Sequence, residues 1–391
     1  MDVEVARWLT SADAAPWLEL ARAEADPGSL ASASRLRRGL APERAAAVLD
    51  QAVLWRRAAA LGRGVTPAAT APGLRFLTGP GLEQATRPSV ARWRADRLVA
   101  AGAREVADLG CGLGLDALAL LAAGLGVVAV ERDPSVAVLA SANLGLDVVV
   151  GEAEQLTPLV LTPGRAMFCD PARRTARGRS WDVADLSPAW DFVLGLLDGR
   201  RTACVKLGPG VPHRLLPAAA AVTWVSHEGD AVEASLWAGA GVAPGRRSAV
   251  VLPTGDELAA GPAAPPAGPV GRWLVEPDPA VIRSGAAGTL AHRHGLWPLA
   301  EGVAYLTGAE RPDVAPFGTT FEIVDVLPFD VRRLRAWVRE REVGTLEIKK
   351  RGVDVDPAAL RRQLKPEGAG AATLVLTPTA AGARALVVRR A

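Results

Sequence analysis

The stretch Val106-Ala107-Asp108-Leu109-Gly110-Cys111-Gly112-Leu113-Gly114-Leu115-Asp116 constrains this chain more than any other. A short apolar run ends in a glycine turn, a helical run follows, and a second apolar run ends in Glu131. That order describes a buried strand, a turn, a helix and a parallel neighbouring strand closed by a carboxylate. In open α/β sheets such an arrangement leaves a ligand crevice outside the strand ends. Glycines permit backbone angles closed to other residues and let the main chain approach a ligand. The spacing departs from the pyrophosphate pattern G-x-G-x-x-G: Gly110 and Gly112 fit, Leu115 takes the third place, and the extra glycine is Gly114. Asp108, just before the turn, suits a ligand with positive charge or N–H donors and not a phosphate. Taken alone, G-x-G-x-G describes only a tight strand-to-helix turn. Asp108, Glu131 and Glu152, each at a strand end, turn it into a binding pattern. Asp116 also fits a simpler role, an acid at the positive end of the helix dipole.

Asp108-Leu109-Gly110-Cys111-Gly112-Leu113-Gly114 resembles motif I of class I S-adenosylmethionine-dependent methyltransferases. The resemblance implies a Rossmann-like α/β sheet and S-adenosyl-L-methionine as cofactor. It implies that the glycine loop, Cys111 included, lies along the methionine part. Glu131, followed by Arg132, matches the acid that holds both ribose hydroxyls, for which two acceptor oxygens are needed. Gly151-Glu152-Ala153, after the apolar run 147–150, matches the adenine contact. The segment before motif I often folds over the cofactor in such enzymes, which brings in Gln84 and Thr86; local helix capping accounts for Thr86 equally well.

Alternating strands and helices from Arg104 to Pro253 suggest a doubly wound sheet closed by an antiparallel pair, 232–237 with 247–252. The expected organisation is a helical region over 1–85, a methyltransferase domain over 86–257, a linker over 258–270 rich in alanine, proline and glycine, and a small α/β domain over 271–391. In the first region Pro42 opens a helix with the stripe Ala45, Val48, Leu49 and Ala52. In the last, Asp330 and Asp356 are expected helix caps. Thr345-Leu346-Glu347-Ile348-Lys349-Lys350-Arg351-Gly352-Val353, with Asp356-Pro357 and Leu360-Arg361-Arg362, resembles the THUMP-like domain found C-terminal to methyltransferase domains in a bacterial family. Genuine THUMP domains bind RNA, so this resemblance implies an RNA partner, tRNA or rRNA.

Net charge is only +3, which argues against reading the whole surface as a nucleic-acid field. Lys206, Lys349, Lys350 and Lys365 are the only lysines. Cys111, Cys169 and Cys204 lack metal or disulfide spacing, and buried thiols suit a reducing cytoplasm. The four histidines make no ligand set, so no metal is expected. No apolar run is long enough to span a bilayer, and no leader pattern opens the sequence.

The substrate end is expected at Asp170-Pro171-Ala172-Arg173-Arg174, after the strand 166–169. It resembles the D/N-P-P-aromatic motif of amino methyltransferases, which implies a catalytic role for Asp170 and for the Pro171 carbonyl. Ala172 and Arg173 replace the second proline and the aromatic. The stacking surface then has to come from Phe168 or a tryptophan. Arg173, Arg174, Arg177 and Lys206 are candidate phosphate contacts, although Lys206 equally suits an ion pair. Lys349, Lys350 and Arg351, with Arg361, Arg362 and Lys365, form the basic cluster expected to meet RNA. The expected function is RNA methylation. The alternatives are an inactive RNA-binding or assembly factor with a relic site, a small-molecule methyltransferase, or an NAD-linked oxidoreductase. Nothing in the pattern fixes the oligomeric state.

Overall fold

A computed structural model describes residues 1–62, 74–173 and 182–391, of Arg173 the backbone only. The chain divides into two compact units. One holds residues 1–221 and 235–245, the other 222–234 and 246–391.

The first unit begins with helices α1 (Val3–Leu9), α2 (Ala15–Ala23), α3 (Leu30–Leu36) and α4 (Pro42–Ala60), followed by α5 (Gly79–Gln84) and α6 (Pro88–Ala100). The expected stripe of α4 is buried: Ala45, Val48, Leu49 and Ala52 sit in one apolar cluster with Leu9, Leu36, Leu77, Leu82, Leu113 and Leu139. The sheet alternates with helices: β1 (Glu105–Leu109), α7 (Leu115–Ala122), β2 (Gly126–Glu131), α8 (Pro134–Leu144), β3 (Val149–Val150), α9 (Ala153–Val160) and β4 (Ala166–Cys169). A two-stranded piece, β5 (Ala172–Arg173) with β6 (Leu186–Ser187), precedes α10 (Trp190–Leu196) and β7 (Ala203–Leu207). The order in this part of the sheet is β7-β4-β1-β2-β3, with parallel pairing throughout. β1 is therefore central, and its residues 106–109 are all buried, as a strand covered on both faces requires.

The second unit contains β8 (Ala221–His227) from Val222 onward, residues 230–234 of β9 (Asp230–Ala238), β10 (Arg247–Leu252) and β11 (Asp256–Ala259). The expected antiparallel pairing of 232–237 with 247–252 is not formed. β10 pairs in parallel with β8 on one edge and antiparallel with β11 on the other, so both its edges are filled. Alternation along a strand reports which face is buried, not which neighbour it takes.

Next come β12 (Trp273–Pro277), α11 (Pro279–Ser284), α12 (Ala287–His294), β13 (Trp297–Pro298), β14 (Leu306–Gly308), β15 (Gly318–Pro328), α13 (Val331–Glu340), β16 (Val343–Lys350), α14 (Pro357–Leu364), β17 (Gly370–Thr379) and β18 (Gly382–Arg390). They form a sheet of order β13-β14-β12-β15-β18-β17-β16. The Asp330 carboxylate accepts from Arg333 N at 2.9 Å and that of Asp356 from Ala359 N at 2.7 Å, the expected caps. Leu334 and Val338 of α13 and Leu360 and Leu364 of α14 pack on Leu346, Ile348, Leu374 and Leu376. No helix among the described residues is long and apolar enough to cross a membrane.

Candidate active site

The turn after β1 is shaped by its glycines. Gly110 N and Cys111 N both donate to the Val130 carbonyl at 2.9 Å, which pins the turn to the end of β2. Gly110 and Gly112 have φ of 92° and 53°, and a Cβ on either would meet no atom within 4 Å. They border a cavity of about 450 Å³, a size typical of small-molecule sites. Gly114 differs: a Cβ there would fall 2.9 Å from Leu144 Cγ, and it is not among the lining residues. It lets α7 approach α8.

Carboxylates dominate the cavity wall. Asp108 is 1% exposed, lines the cavity, and neither of its oxygens has a hydrogen-bond partner. Burial first, then repulsion from Asp116, Asp170 and Glu131, pushes its carboxyl well above the usual range; Arg94 opposes the shift. Glu131 accepts from Gly112 N at 3.0 Å on Oε2 and from Asp133 N at 2.9 Å on Oε1. Both oxygens are thereby oriented, and each retains a second acceptor position. Glu152 and Ala153, at the start of α9, line the same space, as do Cys111 and Arg132. Arg132 donates to the Ser187 hydroxyl at 3.0 Å, beside Pro188 on the cavity wall.

Asp116 lies in the first turn of α7, but its partners are side chains. It accepts from Thr86 Oγ1 at 2.8 Å and from the buried guanidinium of Arg94. Burial would raise its pKa; Arg94, Lys206 and the Thr86 hydroxyl outweigh that and hold it below the ordinary carboxylate range. Thr86 thus lines the cavity and caps nothing: the N-cap of α6 is Arg87. The Arg94–Asp116 pair was not foreseen, and neither were Leu74, Thr78, Pro80 and Gly81, which form part of the wall along with the anticipated Gln84. One of three arginines in α6, Arg94 carries no sequence mark that sets it apart as the buried one.

At the end of β4, the Asp170 carboxylate lines the cavity and accepts from Lys206 Nζ on Oδ2. Burial raises the Asp170 pKa, with Lys206 opposing it. Lys206 therefore takes the ion-pair role that was one of its two expected roles. Pro171 is buried. Phe168 is 1% exposed, and the Arg94 guanidinium stands 4.6 Å from its ring centre, so one of its faces is already covered. The side chain of Arg173, and Arg174 and Arg177 entirely, lie outside the described residues. Among the described residues, no group of three or more His, Cys, Asp or Glu is placed to hold a metal ion.

In the second unit the expected basic cluster is largely engaged. Lys349 donates to Glu276 at 2.7 Å, Arg351 lies 5.3 Å from the Tyr305 ring centre, and Arg361 donates to the Leu346 carbonyl at 2.8 Å. Lys350 is exposed at the end of β16.

The cavity suits S-adenosylmethionine on physical grounds. An orphaned buried carboxylate, an oriented acid with spare acceptor positions, and open glycine backbone favour a cationic nucleoside and disfavour a pyrophosphate. Asp108 would face the positive amino-acid end, Glu131 the ribose, and Glu152 the adenine.

Comparisons with known proteins agree. Residues 318–390 match the THUMP domain-like family. A Porphyromonas gingivalis W83 crystal structure, provisionally named a methyltransferase, aligns with TM-score 0.77 over 100% of this chain and 99% of its own, at 23% identity, which establishes the shared fold. Uncharacterized S-adenosylmethionine-dependent methyltransferases from two strains of Mycobacterium tuberculosis, CDC 1551 and H37Rv, are each 34% identical over 353 residues, covering 87% of this chain and 94% of theirs. With a cavity of matching chemistry and a relative this close over most of its length, the chain belongs to the class I S-adenosylmethionine-dependent methyltransferases.

Proposed function

We propose that this enzyme methylates RNA, tRNA or rRNA, at a base amino group presented to Asp170. The observation that carries the reading is a THUMP domain-like module, residues 318–390, in the same chain as a methyl-donor cavity lined by Asp170. The bound cofactor supplies a methyl group activated by its sulfonium. Asp108, Glu131 and Glu152 hold it by charge and hydrogen bonds. Lys206 occupies Oδ2 of Asp170 and fixes the carboxylate. The remaining oxygen, with the Pro171 carbonyl, accepts from the amine and aligns its lone pair, the chief requirement for a direct displacement. Nitrogen would gain charge as it bonds to the methyl carbon and the carbon–sulfur bond breaks, the sulfur leaving as a neutral thioether. Asp170, made more basic by burial, takes the surplus proton. The buried thiols Cys111, Cys169 and Cys204, none in a disulfide, favour a reducing compartment, the cytoplasm.

The test is tritium transfer from methyl-labelled cofactor to total RNA of cells lacking the protein, followed by mass spectrometry of the nucleosides. Asp170→Asn should keep cofactor affinity within about threefold and lose turnover by about 10²–10⁴-fold. In the wild type, kcat should fall as pH drops through the raised Asp170 pKa, because the protonated carboxyl cannot act as base. RNA that stays unlabelled while a small amine is methylated refutes the substrate; normal turnover by the variant refutes the role of Asp170.

A further inference from the structure

We propose that a groove beside α13 holds the phosphate backbone of the RNA. The proposal rests on the reading that the acceptor is RNA and assigns the surface that grips it. Arg332, Arg335 and Arg339 follow one another at helical spacing, so they form one stripe of α13, about 10 Å long. That length passes several phosphates of a strand that rises about 3.4 Å per nucleotide. On the adjoining face Leu334 and Val338 are buried in the core, and Val338 also borders the groove. All three arginines are exposed and line a groove of about 680 Å³ together with exposed Lys365.

Ion pairs compensate some cations of the unit and not those of the groove. Arg272 and Arg389 both pair with Glu322, and Lys349 pairs with Glu276. Among the described residues, Arg332, Arg335, Arg339 and Lys365 have no ion pair within 4 Å. Glu342 and Glu367 also line the groove, so four cations face two acids. Holding four like charges together without partners is unfavourable, and an anion relieves it.

The backbone beside the groove is tightly packed. A Cβ on Gly344 would fall 1.7 Å from the Gly368 carbonyl oxygen, and one on Gly368 1.7 Å from that of Glu342, so neither position admits a side chain. Gly368 N donates to the Val343 carbonyl at 3.2 Å and Gly370 N to that of Glu342 at 2.8 Å, which fixes the two segments. Glu342 and Lys365, on the groove wall, both hold φ of 49°, a conformation non-glycine residues seldom adopt. Arginine forks on a rigid floor recognise phosphate oxygens in pairs. Such contacts position an RNA without reading its sequence.

The test uses the full-length protein and fluorescently labelled, unfractionated bacterial tRNA, with anisotropy measured between 50 and 200 mM salt. R332Q/R335Q/R339Q should bind at least tenfold more weakly at 100 mM salt. The slope of log affinity against log salt should flatten by about three, and by about one for Arg335→Gln alone. R37Q/R38Q, two exposed cations outside the groove, should change affinity less than threefold. Circular dichroism melts should be unchanged; if the triple variant melts early, the single variants carry the test. Wild-type affinity and slope in the groove variants overturn the groove alone. Absence of wild-type tRNA binding overturns the RNA reading and the groove together. Equal binding of a duplex DNA with the same loss in the variants makes the groove a general polyanion site and overturns RNA as its occupant.

Discussion

Asp108 costs the empty enzyme stability and, by the proposal above, should give the loaded enzyme its grip. Its carboxyl is buried and unpartnered, so its folded-state pKa lies above the unfolded value. Between those two values the folded chain binds more protons than the unfolded chain. Stability therefore falls as pH rises through that window, and the loss is complete above the folded pKa. Asp108→Asn should flatten this part of the pH–stability curve and be more stable than wild type on its alkaline side. It should also bind S-adenosylhomocysteine at least tenfold more weakly, about 1.4 kcal/mol. Thermal melts from pH 5 to 9 and titration calorimetry check both; an unchanged affinity would remove Asp108 from the cofactor site. Asp108 and Glu131 were legible because each interrupts the end of an apolar run. Their neighbours were not. Arg94 meets Asp116 across 22 residues of sequence and Lys206 meets Asp170 across 36, and no local pattern announces either pairing.

At the scale of elements, the N-terminal helices build the cofactor cavity, and two buried amides make the link. The Asn143 side chain, on α8, accepts from Arg75 N and Phe76 N at 2.9 and 2.8 Å and donates to the carbonyls of Phe76 and Leu113, each at 3.0 Å. It thus ties the glycine turn to the segment leading into α5. Gln51, on α4, holds the next residue, exchanging hydrogen bonds of 2.7 and 2.8 Å with Leu77. Leu74, Thr78, Pro80 and Gly81, which border the cavity, are positioned by this clamp. Asn143→Ala should destabilise the protein by roughly 2–4 kcal/mol, because buried backbone groups lose their partners. Asn143→Asp separates the two halves of the clamp: it keeps the accepted bonds and loses the donated ones. It should weaken S-adenosylhomocysteine binding several-fold in calorimetry. Wild-type affinity in a folded Asn143→Asp variant would reduce Asn143 to a packing residue. The helices themselves were readable from Pro42 and the stripe on α4. Their service to the site was not, since it runs through contacts 67 and 68 residues apart.

At the scale of the molecule, the two presumed ligands should leave separate footprints on one chain. Every residue lining the cofactor cavity lies between Leu74 and Pro188, and every residue lining the basic groove between Arg332 and Ala369. The net charge of +3 is too small to attract RNA evenly over the whole surface, so its hold has to come from local clusters. Sequence reading placed that cluster at Lys349, Lys350, Arg351, Arg361, Arg362 and Lys365; folding pairs Lys349 with Glu276 and sets Lys365 in one groove with the arginines of α13. Hydrogen exchange read by mass spectrometry resolves the two footprints. Saturating S-adenosylhomocysteine should slow exchange at least tenfold at 74–78, 110–116 and 151–153, and by less than twofold at 331–340 and 365–369. Bacterial tRNA without cofactor should protect 331–340 and 365–369. Cofactor binding removes local opening where it makes contacts, and amide protection follows the stability of each segment. Cofactor protection spread equally over α13 would mean that the two sites share one cooperative unit. In that case, R332Q/R335Q/R339Q would have to lower cofactor affinity as well as RNA affinity, because linkage between two binding sites is reciprocal.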